Sequence, residues 1–260
     1  MSALADLFPD GDFRFHLTLR RSEPAAFFGR RDSSGRLRAE RARWLAEAPG
    51  RYAALAEPGR PAFAEWAELS RTWGARPAKS PVELGAELEP DFLLLTADAQ
   101  GAFRLQGGAL CFPTGWALEE KMGHTLDEIH GVVPGLNAVL ASPIRQFLMR
   151  LKPGGVIERD NWGLAATDEL NLHPARGVPA PDLPTAPDRL WLRVERQAFL
   201  ALPQSRGIVF GLRIELHRMD EVAADRAAAA GLRRALETMP EAVLTYKRLG
   251  RIRNQVVSWL

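Results

Sequence analysis

LWLRVERQAFLALPQSRGIVFGLRIEL, residues 190–216, is the stretch of sequence that decides the fold. Its first part alternates, with Leu190, Leu192 and Val194 separated by polar or aromatic residues, which is the period of a half-buried strand. Residues 202–207 are rich in turn formers, and a nearly continuous apolar run follows them. The pattern predicts two strands joined by a tight connection.

One arginine, Arg213, lies inside the apolar run of the second predicted strand. Burying a guanidinium without a partner is costly in free energy. We therefore expect Arg213 either to lie on a solvated face, which is the commoner outcome for arginine, or to pair with an acid. Glu195 on the preceding strand is the candidate partner.

The composition is that of an ordinary globular chain. The 260 residues are 46% hydrophobic, enough for a sizeable core. The 34 basic and 32 acidic residues are intermixed and give a formal net charge of +2, which offers no support for nucleic-acid binding. No apolar stretch approaches the length of a transmembrane helix, and the N-terminus lacks the apolar region of a signal peptide.

The single cysteine, Cys111, excludes an intrachain disulfide and a cluster held by four cysteines of this chain. It lies in an apolar segment, so we expect a buried, unreactive thiol. One unpaired cysteine favours a reducing, cytoplasmic setting.

Helical and strand patterns alternate without a regular βαβ rhythm, which favours an α+β fold. We expect one domain over residues 1–260, with a helical N-terminal part (1–90), a sheet-rich core (91–216) and C-terminal helices (217–260). The other predicted strands are 13–20, 90–96, 103–112 and 156–164. The predicted helices are 36–48, 61–69, 82–88, 118–122, 125–130, 142–151, 221–237 and 240–249.

The common motifs for nucleotide binding, for a serine nucleophile and for a zinc protease are absent. The five histidines are scattered, at positions 16, 124, 130, 173 and 217. One of them has a recognisable local setting: Thr125 and Glu128 have the spacing of a helix capping box, and Gly131 is expected to end the helix directly after His130.

Three segments, in this order, resemble a known protein family. They are GHTLDEIHGVVPGLN (123–137), ERDNW (158–162) and the stretch 190–216, and the resemblance extends to CFPTGW (111–116) and to Tyr246-Lys247. The family is the one once labelled DUF3445, which includes the haem-binding subunit of haem-dependent oxidative N-demethylases.

This resemblance implies a PAS-like sheet flanked by helices, with haem b in a pocket. It implies that O₂ and electrons are used to remove a methyl group from a small secondary amine as formaldehyde. Because this chain has one cysteine, the flavin and iron–sulfur components would belong to a separate reductase. PAS-like folds also bind ligands without turnover, so a non-catalytic haem or small-ligand sensor is the alternative function.

The haem would need an axial imidazole and cations for its propionates. His130 is the first choice as axial ligand and His173 the second; His130 is equally well explained as a helix-terminal histidine that suits the helix dipole. Arg159 and Arg196 are the candidate propionate partners, because a guanidinium binds a carboxylate in a bidentate manner. For either arginine taken singly, an ordinary ion pair with Glu158 or Glu195 is the commoner arrangement.

Arg213 joins these candidates, because charges on inner strands are typical of a pocket for an anionic cofactor. Asn161 is a candidate donor on the distal side of the haem, or a residue that caps a turn. Glu195 is a candidate for binding a protonated amine through its charge, and its alternative role is the ion pair with Arg213.

Overall fold

The computed structural model describes residues 4–260. Within that range the strands are β1 (Arg20–Ser22), β2 (Ala53–Leu55), β3 (Asp91–Ala97), β4 (Phe103–Ala109), β5 (Val156–Ala165), β6 (Trp191–Ala201) and β7 (Ile208–Arg218). The α-helices are α1 (Pro24–Phe28), α2 (Arg36–Glu47), α3 (Pro49–Tyr52), α4 (Arg60–Ser70), α5 (Pro81–Glu87), α6 (Leu126–His130), α7 (Leu136–Arg150), α8 (Met219–Ala224), α9 (Arg226–Thr238), α10 (Glu241–Tyr246) and α11 (Arg253–Trp259). Short 3₁₀ helices occupy Leu4–Leu7, Glu57–Gly59, Arg71–Trp73, Pro174–Arg176 and Pro187–Arg189.

All seven strands form one antiparallel sheet in the order β1-β5-β6-β7-β3-β4-β2, with helices on both sides, and the predicted α+β class is confirmed. The hairpin of β6 and β7 lies at its centre, and the turn closes where Leu202 N–H donates to the Gly207 carbonyl at 2.8 Å. The two predicted strands are therefore confirmed, and both are longer than the sequence pattern indicated.

Successive side chains of a strand point to opposite faces, so the sheet has two distinct surfaces. The packed face carries Trp162, Val194 and Val209, which belong to two hydrophobic clusters built with the N-terminal and the C-terminal helices. The open face carries Arg159 and Asn161 of β5 with residues opposite them on β6 and β7.

Helix α1 packs on the packed face at Gly211, in the middle of β7. A Cβ atom at Gly211 would lie 2.7 Å from ring atoms of both Phe27 and Phe28. The glycine is therefore what allows these two rings to approach the sheet so closely.

One end of the open face is covered by loops that Arg193 holds in place. Its guanidinium is fully buried and donates to the carbonyls of Phe112 at 3.0 Å and of Leu170 at 2.7 Å, and to the hydroxyl of Thr114 at 3.0 Å. Burial lowers the pKa of Arg193 to about 10. The other end of the open face is covered by α7.

Two predicted elements near this surface differ from the structure. The predicted strand 13–20 has no ladder partner before Arg20, so only the three-residue β1 pairs with β5. The predicted helix 142–151 begins earlier, at Leu136, and Pro143 lies inside it rather than at its first turn.

Two further helix predictions also differ from the structure. Residues 118–122 form turns rather than a helix. The predicted helix 221–237 is divided into α8 and α9, because the side chain of Asp225 caps α9 by accepting from the N–H groups of Ala227 and Ala228. No helix within residues 4–260 has both the length and the apolar character needed to cross a bilayer.

Candidate functional site

The candidate site is the middle of the open face, between α7 and the loops held by Arg193. Its polar side chains come from β5 and β6, where Asn161 lies opposite Glu195 and Arg159 lies opposite Gln197. Apolar side chains that are only half-buried surround them: Ile157, Phe199, Phe210, Ile214 and Leu216.

Helix α7 covers this surface incompletely. Phe147 packs on Phe199 with ring centroids 5.2 Å apart, which fixes the C-terminal half of the helix to the sheet. Among its fifteen residues only Leu140 and Leu148 are buried. Ligand sites are lined mostly by apolar side chains with a few polar groups among them, and the half-buried apolar residues of this face surround polar side chains in that way.

His130 is positioned by α6. Thr125 accepts from the Glu128 N–H at 3.2 Å, and the Glu128 carboxylate accepts from the Thr125 N–H at 2.6 Å, so the predicted capping box is confirmed. The pKa of His130 is lowered, first by burial and then by the charge of Arg159. The charge of Arg159 therefore reaches the imidazole of His130.

Arg159 is a largely enclosed cation for which residues 4–260 supply no hydrogen-bond or ion-pair partner. Its Nε is buried and has no hydrogen-bond partner in the part of the chain that the structure describes, and no ion pair of Arg159 occurs there either. Burial lowers its pKa, against the opposing effect of the charges of Glu195 and Asp160. A buried guanidinium is normally paired, so this one marks a place where an anion is favoured.

Glu195 is held by two amides that both donate to the same carboxylate oxygen. Gln197 Nε2 lies 2.9 Å and Asn161 Nδ2 3.2 Å from Glu195 Oε2. Asn161 is thus an orienting donor to Glu195, which the sequence did not indicate. Gln197 was also missed, although its position two residues after Glu195 on the same strand face was a usable signal.

Lys247 lies at the free edge of β5. Its ammonium group donates to the Trp162 carbonyl at 2.6 Å and lies 5.2 Å from the centroid of the Trp162 ring. Burial lowers its pKa to about 8, and the charge of Glu195 opposes that shift. No local pattern marks this lysine, because its neighbours come from strands more than fifty residues away.

Arg213 and Arg196 lie on the packed face, opposite to Arg159. Arg213 pairs with Glu89 at 2.9 Å and also donates to the carbonyls of Phe27 and Gly29. The predicted pairing of Arg213 with Glu195 is wrong, because the two side chains point to opposite faces of the sheet.

Arg196 pairs with Asp160 at 2.9 Å and with Glu215 at 2.9 Å. These acids replace Glu158 and Glu195, the partners that the sequence suggested. Of the three arginines nominated from the sequence, Arg159 is the one that the structure places on the same face as Glu195.

His173 has a different set of neighbours from His130. Its ring is buried, lies 3.2 Å from Glu119 and packs edge-on against Tyr52. Its Nδ1 accepts from the Ala175 N–H, which caps the following 3₁₀ turn. Within residues 4–260 no group of three or more potential metal-ligating side chains occurs.

Residues 59–257 match the family model described as haem-dependent oxidative N-demethylase, alpha subunit-like. The match covers more than half of the chain, and the chain belongs to this family. It contains α6, β5, β6, β7 and Lys247, and therefore all the residues of the open face described above.

The open face fits the group that the family name implies. Haem is a flat apolar ring system with anionic propionates, and it requires an axial ligand such as an imidazole. The half-buried apolar surface, the Arg159 guanidinium, which has no partner within residues 4–260, and the imidazole of His130 correspond to these three properties.

Proposed function

We propose that the open face binds haem b, with His130 as the axial ligand and Arg159 paired with a propionate. The observation that carries the proposal is the Arg159 guanidinium, whose buried Nε has no hydrogen-bond partner within residues 4–260 and whose charge acts on the His130 imidazole. The family match supports it independently. His173 remains the second candidate for the axial position, and its existing contacts with Glu119 and Tyr52 favour His130.

We propose further that the bound haem serves oxidative N-demethylation of a small secondary amine. Haem would supply O₂ activation, so that a methyl group on nitrogen is oxidised and leaves as formaldehyde. Glu195 would bind the protonated amine through charge, and Asn161 would hold the Glu195 carboxylate in place. Both act on the open face, next to the proposed haem surface.

The electrons would come from a separate flavin and iron–sulfur reductase. The single thiol of this chain, Cys111, is fully buried, and burial raises its pKa to about 12. A protein that supplies electrons would therefore have to bring its own cluster.

Haem titration of the purified protein tests the binding proposal. We expect the wild type to develop a Soret band at one haem per chain, and His130→Ala to bind at least tenfold more weakly with a changed ligand-field spectrum. His124→Ala is the matched control, because His124 is an exposed histidine six residues away. An unchanged spectrum in His130→Ala, together with a changed one in His173→Ala, would transfer the axial position to His173.

Turnover is tested with the haem-loaded protein, dimethylamine, O₂ and a reductase, by measuring formaldehyde. We expect formaldehyde from the wild type and a raised KM in Glu195→Gln, since the charge that attracts the ammonium is lost. Haem binding without any formaldehyde would contradict the enzymatic proposal and favour a haem-binding sensor.

A further inference from the structure

We propose that Gln197 is a positioning residue, which fixes one oxygen of the Glu195 carboxylate so that the other oxygen meets the ligand amine. This inference rests on the proposed function of the open face. The contact of Gln197 with Glu195 joins two residues on the same face of one strand, β6.

The hydrogen bonds that Glu195 accepts from residues 4–260 go to one oxygen of its carboxylate. Gln197 and Asn161 both donate to Oε2, at 2.9 and 3.2 Å. Glu195 Oε1 has no hydrogen-bond donor among the residues that the structure describes. A carboxylate accepts about four hydrogen bonds, so an oxygen with none is available for a donor from outside the chain.

The nearby cations do not occupy that oxygen. Arg159 and Lys247 act on Glu195 only through charge, and neither donates a hydrogen bond to it. The N–H group of a protonated amine would supply the hydrogen bond that Oε1 lacks.

Gln197 is better suited than Asn161 to fix the carboxylate. Its hydrogen bond is the shorter of the two, and its side chain is buried, whereas that of Asn161 is half-buried. A buried amide between the central strands has few alternative rotamers, so its donor stays in place. Without it, the Glu195 carboxylate would be free to rotate towards Arg159 or Lys247, and these cations would then compete with the ligand.

The test compares Gln197→Met with Gln204→Met. The first variant keeps the length of the side chain and removes the donor, and the second makes the same change at an exposed glutamine in the β6–β7 turn. For dimethylamine we expect Gln197→Met to raise both the calorimetric Kd and KM by roughly tenfold, the size expected for a lost hydrogen bond to a charged group. We expect kcat to change less than twofold, and haem loading and Tm to match the control.

The outcomes distinguish a failure of the proposed function from a failure of the positioning role of Gln197. If the wild type does not bind dimethylamine, the proposed function fails. If the wild type binds it and Gln197→Met binds equally well, the positioning role is wrong although the function stands. If Gln197→Met does not fold, Gln197→Asn tests the proposal instead, because it keeps an amide that is too short to reach Oε2. An unchanged KM in Gln197→Asn would also show that Gln197 does not position the Glu195 carboxylate.

Discussion

At the scale of single residues, Lys247 is the clearest example of a buried cation that lowers the stability of the folded state. Its ammonium is enclosed, makes one hydrogen bond and has a pKa lowered to about 8. The unfolded chain would hold that proton up to a pKa near 10.5. Between these two values the unfolded state binds more protons, and the free energy of unfolding should therefore increase with pH.

This increase is a testable signature of Lys247. Across pH 8 to 10.5 we expect Lys247 to add up to ~3 kcal/mol to the free energy of unfolding, and we expect that increment to be absent in Lys247→Met. Urea unfolding at several pH values measures it, with the exposed Lys79 changed to methionine as control. If the free energy of unfolding changes with pH equally in the wild type and in Lys247→Met, Lys247 is solvated in the native state.

At the scale of elements, α6 shows how a very short helix is held together. It has five residues, so end effects account for much of its stability. The reciprocal bonds of Thr125 and Glu128 satisfy two N–H groups at its start. Since His130 is its last residue, the capping box also determines where the imidazole lies.

Removing the cap should therefore affect the site as well as the helix. In Thr125→Ala we expect a loss of ~1 kcal/mol in the free energy of unfolding. We also expect weaker haem binding than in the wild type, because α6 frays and His130 is less well positioned. Chemical denaturation and haem titration measure the two effects. Ser142→Ala, at an exposed serine on α7, is the control, and haem affinity equal to that of the control would contradict the coupling.

What the sequence predicts well at this scale is local. The capping box, the β6–β7 hairpin and the helix at 36–47 each follow from residues within a few positions of one another. The errors arise where distant contacts decide. The 13–20 segment alternates like a strand, but the sheet offers it no ladder partner before Arg20. Pro143 is tolerated inside α7 although its local preference is for a first turn.

In the candidate site, too, local features are predictable from the sequence and long-range contacts are not. His130, Arg159 and Glu195 were nominated one at a time, from local setting and resemblance. Which charges face each other depends on strand register, because moving the pairing by one residue transfers a side chain to the other face. The sequence therefore offers Glu195 only as a candidate partner of Arg213, and the structure pairs Arg213 with Glu89. The packing of Lys247 against β5 depends on tertiary contacts that no local pattern contains.

At the scale of the whole molecule, residues 4–58 are part of the fold although the family match begins at residue 59. Strand β1 pairs with β5, and Arg41 of α2 forms a buried ion pair with Asp91 of β3. The carbonyls of Phe27 and Gly29 accept two of the hydrogen bonds of Arg213. These contacts give Asp91 its buried ion-pair partner and satisfy two donors of Arg213, which also pairs with Glu89.

A chain reduced to residues 59–260 should therefore be unstable. We expect it to lose cooperative unfolding, because Asp91 and Arg213 lose partners and the surface beneath Phe27 and Phe28 is exposed. Phe28→Ala in the full chain is the milder comparison, with an expected loss of ~3–5 kcal/mol. Thermal unfolding followed by circular dichroism measures both. A shortened chain that unfolds as cooperatively as the full one would show that residues 1–58 contribute little to the stability of the fold.

Gly211 is the position in the sheet where the matched part of the chain depends on the residues before it. The position belongs to the part of the chain that matches the family, but the rings that require its missing side chain belong to residues before that part. A constraint on the matched part is thus imposed from outside it. The length of chain that is recognisable by homology and the length that forms a stable folding unit are consequently different in this protein, and expression boundaries are better chosen from the second.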